Sequence, residues 1–165
     1  ALGTTCGNTP GAWRTREPFS NGAATAALLR REGLDAYPLL GYRDPPASSV
    51  ALALGRPLFS ASLGVFATHT DWGPLQRDLS MPDLRCAARA LARREGRDVV
   101  LVMNQQLPPW DELAAAGETS GAIVGTEDYH LYRLRHDRLG GTLAGAHCER
   151  EGDRAGEPRG DTADR

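Results

Sequence analysis

Histidine is the residue type best suited to proton transfer near neutral pH, and this chain of 165 residues has four. His69 follows an apolar stretch, in the place where α/β folds put chemistry at the carboxyl end of a strand. His130 and His136 flank an arginine-rich segment. A histidine near a strand end can act as a general base or donate a hydrogen bond to a developing oxyanion. These three are therefore candidates for catalysis, and a structural or surface role is the alternative for each.

Metal ligation is the second chemistry that these residue types allow. His69 with Asp71, or His147 with Cys148, would supply pairs of ligands, but no third ligand stands at a recognised spacing. A glycine loop followed by Lys-Ser or Lys-Thr, which would cradle a phosphate, is also absent from the sequence. We therefore predict that the chain uses neither a metal ion nor a cofactor.

Charge and hydropathy limit the partners of the chain. The formal net charge is −2 with acidic and basic residues mixed, which argues against nucleic-acid binding. No uninterrupted apolar run reaches the roughly 18 residues that a membrane span requires, and no signal peptide is visible. Three cysteines lie far apart in the sequence, which fits reduced thiols better than a disulfide framework. We predict a cytoplasmic protein without nucleic-acid or membrane partners.

One helix and one strand are well marked. Leu84, Ala88 and Leu91 recur at helical spacing between Met81 and Glu95, with an N-capping serine before this segment and a glycine after it. The continuous apolar run Val99 to Met103 is typical of a strand buried on both faces. Helix, short turn and buried strand together predict an α/β fold.

The other segments are less regular. By propensity, residues 24–33 form a helix that ends at a glycine, and 110–117 form a second, short helix. Residues 37–42 read as a strand, 50–67 as irregular pieces, and 121–126 as a strand or a glycine loop. From residue 149 onward the chain is polar, and we expect disorder there.

Several segments in order along the chain resemble the C-terminal half of type III 3-ketoacyl-acyl-carrier-protein synthases of the thiolase superfamily. Phe19-Ser-Asn-Gly-Ala23 is similar to that family's Phe-Gly-Asp-Gly-Ala pattern. Asn104-Gln105, after the buried strand, stands where the family has His-Gln. Tyr129-His130 resembles the Gly-His of members from secondary metabolism. Residues 137–144 and 151–154 resemble the helix and the Gly-Asp turn that follow.

This resemblance implies an architecture. It predicts a thiolase-like half-fold, a layered mixed sheet with flanking helices, over residues 1–155, followed by a disordered tail over 156–165. It also implies that residues 23–30 are a strand and that 37–43 are its hairpin partner, in conflict with the helix that propensity favours.

The resemblance also implies a function. The chain would be an acyltransferase-type domain of fatty-acid or polyketide biosynthesis without the half that carries the nucleophilic cysteine, and it would be inactive alone. His130 would transfer protons and Asn104 would donate a hydrogen bond to the oxyanion. Asn21, Gly22 and Gln105 would bind substrate. Acyl-CoA or an acyl carrier protein would be the partner, with a homo-oligomer or a catalytic partner chain completing the site.

Two alternatives stay open. Residues 64–70 and 100–109 look like the Thr-His and Gly-Asp-Phe-Asn-x-x-Pro segments of the metal-dependent endonuclease/exonuclease/phosphatase superfamily, although the key acids are absent. The second alternative is a non-catalytic partner subunit that binds through the apolar surface left by a missing half.

Overall fold

A computed structural model of the chain describes residues 19–42, 44–68, 78–123 and 127–140. Helices and strands alternate over most of this part of the chain. In chain order they are α1 (Gly22–Arg31), β1 (Leu39–Gly41), α2 (Asp44–Leu54), β2 (Leu58–Ser60), β3 (Val65–Ala67), α3 (Met81–Glu95), β4 (Val99–Met103), β5 (Leu113–Thr119) and β6 (Tyr129–Leu134).

Helix α3 has the bounds that its sequence predicts, because both ends carry strong signals. The Ser80 hydroxyl accepts a hydrogen bond from the Asp83 backbone N–H at 3.3 Å, and the Asp83 carboxylate accepts one from the Ser80 N–H at 3.1 Å. Gly96 ends the helix with a φ of 63°, in the left-handed region that glycine adopts without strain. The buried stripe of Leu84, Ala88 and Leu91 then packs this helix against the sheet.

The six strands form one mixed sheet in the order β3-β2-β1-β4-β6-β5. The central strands β2, β1 and β4 are parallel, whereas β3 and β6 run antiparallel to their neighbours. The chain enters at β1, moves to β2 on one side, and returns through α3 to β4 on the other side. The direction of winding therefore changes at β1, between β2 and β4.

Helices cover both faces of the sheet. Leu29 of α1 and Val50 of α2 pack with Val100 and Val102 of β4 on one face, which we call the α1/α2 face. Leu84 of α3 packs with Leu101 and Met103 on the other face, the α3 face. A strand that alternates between two apolar layers in this way has no polar side, and all five residues of β4 are buried.

The predicted α/β class, with a layered mixed sheet and flanking helices, is confirmed, whereas several element predictions are wrong. Residues 22–31 form a helix, as propensity indicates, and not the strand implied by the family resemblance. Consequently β1 has no hairpin partner there and instead pairs in parallel with β2 and β4. Residues 113–119 form a strand because pairing with β6 outweighs the helix propensity of three consecutive alanines. Residues 50–67, predicted to be irregular, contain the end of α2 and the strands β2 and β3.

The remaining predictions of secondary structure concern the C-terminal part of the chain. Residues 141–144 and 151–154 and the polar tail, for which the sequence makes predictions, lie outside the described residues. Within the described part, the longest helices are too short and too polar to cross a membrane.

Cys86, on α3, is disulfide-bonded. The other two cysteines of the chain, Cys6 and Cys148, lie outside the described residues. The prediction of three reduced thiols is therefore wrong for Cys86. Structural disulfides persist mainly in oxidising compartments.

This disulfide predicts a simple pattern of thiol labelling. Alkylation of the unfolded, unreduced protein should modify one cysteine of the three, and prior reduction should expose all three. Reduction should also lower the free energy of unfolding by about 2–4 kcal/mol, because the unfolded chain loses a crosslink. Intact-protein mass spectrometry and denaturant unfolding with and without reductant measure both effects. Modification of all three thiols without reduction would contradict the crosslink.

Candidate functional site

Polar side chains collect at the carboxyl edge of the central strands. Asn104 directly follows the last residue of β4, and His130 lies beside that residue, because Met103 and His130 are partners in the β4–β6 ladder. The same edge receives the end of β5 and the beginning of α1. In open α/β sheets, ligands bind outside the carboxyl ends of the strands, where the direction of winding changes. This edge is therefore the candidate site.

The chain before β6 is anchored to α1 on the α1/α2 face. The Asp128 carboxylate accepts hydrogen bonds from the Asn21 side-chain amide at 3.3 Å and from the Gly121 backbone N–H at 3.0 Å. The hydroxyls of Thr25 and Thr119 share a hydrogen bond of 2.6 Å between α1 and β5. Asn21 is only 1% exposed, so its amide is committed to holding this segment in place.

Tyr129 links β6 to α2 on the same face. Its hydroxyl and the Ser49 hydroxyl are 2.8 Å apart, within hydrogen-bond distance. Burial raises the pKa of the Tyr129 phenol well above its usual value, and the nearby Glu127 carboxylate raises it further, against the lowering effect of Ser49. The phenol therefore stays protonated, and the Glu127 charge acts on the α1/α2 side of the edge.

Two buried acceptor atoms at this edge have no hydrogen-bond partner. They are Oδ1 of Asn104 and Oε2 of Glu127. Val100 and Val102 of β4 face α1 and α2, and position 104 continues this alternation of faces. Buried polar atoms are nearly always paired in folded proteins, and an unpaired one costs roughly 1–3 kcal/mol, more if it is charged. These two oxygens are therefore available to a ligand.

His130 lies on β6 and pairs with Met103, so its side chain is on the α3 face and not on the α1/α2 face. It is opposite Glu118 in the β5–β6 ladder, and its Nδ1 is 3.7 Å from Oε2 of that carboxylate. The His130 side chain is 23% exposed and the Glu118 side chain 73% exposed. This distance is within ion-pair range but longer than a hydrogen bond, so Glu118 orients the imidazole only weakly. An imidazole at the border of solvent can exchange protons with a bound molecule.

Two tyrosines hold the loops above the α3 face. The Tyr42 hydroxyl donates to the Leu79 carbonyl at 2.9 Å and accepts from the Leu79 N–H at 3.0 Å. The Tyr132 hydroxyl accepts from the Leu107 N–H at 3.0 Å, which fixes the segment that follows Asn104. The hydroxyls of the buried Tyr42 and the partly buried Tyr132 thus position these two loop segments.

Comparison with known proteins finds a distant similarity. The chain is 27% identical over 150 residues to the probable dual-specificity RNA methyltransferase RlmN 1 of Opitutus terrae, and the alignment includes 84% of this chain but only 42% of that protein. The relative is named an RNA methyltransferase. No family model matches the chain, and no solved structure matches it significantly.

This similarity overturns the family expected from the sequence. The similarity is to a protein named an RNA methyltransferase and not to a thiolase or ketoacyl synthase, so the predicted resemblance and the acyltransferase function in fatty-acid or polyketide biosynthesis are wrong. The reason is that the motifs behind them were short, and one of them, residues 23–30, folds as a helix. The nuclease-like and partner-subunit alternatives gain no support. Acyl-CoA and an acyl carrier protein were expected on that resemblance alone.

The structure brings most of the predicted site residues to one edge. Asn104, Gln105 and His130 follow or flank the end of β4, and Asn21 and Gly22 begin α1 nearby. Gly22 packs so closely on Ser49 that a Cβ there would lie 2.6 Å from the Ser49 Oγ. His136 lies at the opposite end of β6, where its N–H donates to Asp98 at 2.8 Å.

Some of the predicted site residues do not lie at this edge, and some residues of the edge were not predicted. His69, Asp71 and His147 lie outside the described residues, and within the described part no three His, Cys, Asp or Glu side chains form a metal site. Glu118 and Glu127 were missed because β5 and β6 were not recognised as a pair. The aromatic and β-prone alternation of Tyr129 to Leu134 is the signal that identifies β6.

Proposed function

We propose that this chain is an α/β ligand-binding domain that takes a small polar molecule at the carboxyl edge of β1 and β4. The supporting observation is that Asn104, Glu127 and His130 all lie where β4 ends and β6 begins, at the edge where the winding of the sheet changes direction. Asn104 hydrogen-bonds the ligand, and His130, beside Glu118, exchanges a proton with it. Gln105 contributes a further polar contact. Asn21 and Gly22 position the edge from α1.

The disulfide at Cys86 is relevant to the compartment in which this domain functions. A crosslink that is stable in the working protein favours an oxidising compartment over the cytoplasm. We therefore propose that the domain meets its ligand in such a compartment.

A screen of small polar metabolites by protein NMR tests the proposal. Binders should shift the backbone signals of residues 103–105 and 128–131, and Asn104→Ala should weaken their binding roughly tenfold or more. Arg97→Ala is the matched control, because Arg97 lies just before β4 at the opposite end and donates to the Ala36 carbonyl on the protein surface. Binders that map to another surface, or a screen without binders, would contradict the proposal.

RNA binding is a second candidate, favoured by the similarity to an RNA methyltransferase. It conflicts with the prediction of no nucleic-acid partner, which rests on the mixed charge of the chain. Fluorescence anisotropy with short single-stranded and hairpin RNAs distinguishes RNA binding from binding of a small ligand. Affinity that falls steeply with salt would favour RNA. Absence of binding at low salt would eliminate this candidate and leave the small ligand.

A further inference from the structure

We infer that the ligand of the carboxyl edge is a nitrogen cation, a guanidinium or a primary ammonium group, that donates hydrogen bonds to Asn104 Oδ1 and Glu127 Oε2. This inference rests on the proposed function and specifies its ligand class. Both unpaired atoms are oxygens that accept hydrogen bonds, so a matching ligand must present donors.

The carboxylate decides the charge of the ligand. Burying an ionised carboxylate without a partner costs several kcal/mol, and an opposite charge is the usual compensation. Within the described residues no arginine is bonded to Glu127 Oε2, whereas Glu112 has two. The ligand would supply the positive charge that the chain itself provides for Glu112.

The surroundings of Glu127 support this assignment. The neighbouring Asp128 accepts hydrogen bonds from Asn21 and Gly121, which fixes the position of the backbone beside Glu127. The raised pKa of the Tyr129 phenol has the negative field of Glu127 among its causes. A negative field, a fixed backbone and a free acceptor together favour a cation. A guanidinium, with five N–H donors in a plane, reaches two separate acceptors better than an ammonium.

Four probes of similar size test the inference by NMR titration of the full chain. They are butylguanidinium, butylammonium, the neutral butylurea and the anionic butyrate. We expect butylguanidinium to bind at least as tightly as butylammonium, and roughly tenfold or more tightly than butylurea, with shifts at residues 103–105 and 127–130. Glu127→Gln, which keeps the shape of the side chain, should remove this preference for cations.

Stability gives a second readout that separates a binding role from a structural one. Because Oε2 of the unliganded carboxylate is buried and unpaired, Glu127→Gln should keep or raise the thermal midpoint while it lowers the affinity for butylguanidinium roughly tenfold or more. Asp137→Asn, at an exposed carboxylate near the opposite end of β6, is the control and should change cation affinity less than twofold or so.

Each remaining outcome has one meaning. Equal or tighter binding of butylurea or butyrate at the same residues would overturn the cation and leave the proposed site intact. A loss of stability in Glu127→Gln with unchanged affinity would also overturn it, because Glu127 would then be a structural residue. Failure of all four probes, together with failure of the wider screen, would overturn the proposed function itself.

Discussion

Replacement of Glu112 by alanine should lower the free energy of unfolding by about 3–5 kcal/mol, which is a large part of the stability of an ordinary domain. The Glu112 carboxylate is 2% exposed and accepts two hydrogen bonds from Arg85, at 2.8 and 2.7 Å, in a bidentate arrangement. Arg89 adds a third at 3.3 Å. The variant would leave Arg89, only 12% exposed, without its carboxylate on α3.

The same cluster predicts how stability depends on pH. The hydrogen bond from Arg85 lowers the pKa of Glu112, against the opposing effect of burial. A carboxylate whose pKa is lower in the folded state stabilises the protein above its unfolded pKa, and this contribution disappears as the pH falls through the folded pKa. Acidification below the normal glutamate pKa should therefore destabilise the natural protein more than it destabilises the Glu112→Ala variant.

Urea unfolding at neutral and at acidic pH measures both effects. Glu95→Gln is the control, because Glu95 pairs with the half-exposed Arg94 at 3.2 Å and should change stability by less than about 1 kcal/mol. If Glu112→Ala lost no more stability than this control, the buried ion cluster would not hold α3 to β5.

Replacement of Gly22 by alanine should be the second most damaging change, with a loss of about 1–3 kcal/mol from overpacking. A Cβ at this position would lie 2.8 Å from the Ser49 backbone carbonyl carbon, and backbone cannot rotate away. Alanine is favoured over glycine in a helix by up to about 1 kcal/mol, so the propensity gain is smaller than the expected steric cost. The clash would push α1 from α2 and strain the bond between Ser49 and Tyr129.

Thermal unfolding of Gly22→Ala and Ala24→Ser provides the comparison. Ala24 is exposed on the same helix, so one added heavy atom there should change the stability by less than about 0.5 kcal/mol. A Gly22→Ala variant more stable than the natural protein would show that α1 and α2 do not approach so closely.

The sequence predicts those parts of the fold whose signals are local. Helix α3 and strand β4 have the predicted bounds because a capping box, a terminal glycine and a continuous apolar run lie within each segment. The region from Leu113 to Leu134 was not predictable in this way, since its alanines take strand geometry only through pairing between β5 and β6. Short strands such as β1 and β2 likewise owe their form to their neighbours.

The candidate site is likewise only partly predictable from the sequence. Asn104 and His130 stand out because of their residue types, and the ladder between β4 and β6 places them together. Glu127 attracts no notice in the sequence, because a glutamate before a strand is ordinary. Its distinguishing property, a buried oxygen without a partner, exists only in the packed chain.

The bonds that assemble this edge join parts of the chain that are far apart in sequence. Asn21 and Asp128 are separated by 107 positions, Thr25 and Thr119 by 94, and Ser49 and Tyr129 by 80. Contacts between residues so far apart in sequence form slowly, because a long loop must close before the contact provides any stabilisation. The binding edge is therefore completed only when β6 docks, late in folding. A ligand held there stabilises the native state as a whole by mass action, so occupancy and global folding become one coupled equilibrium.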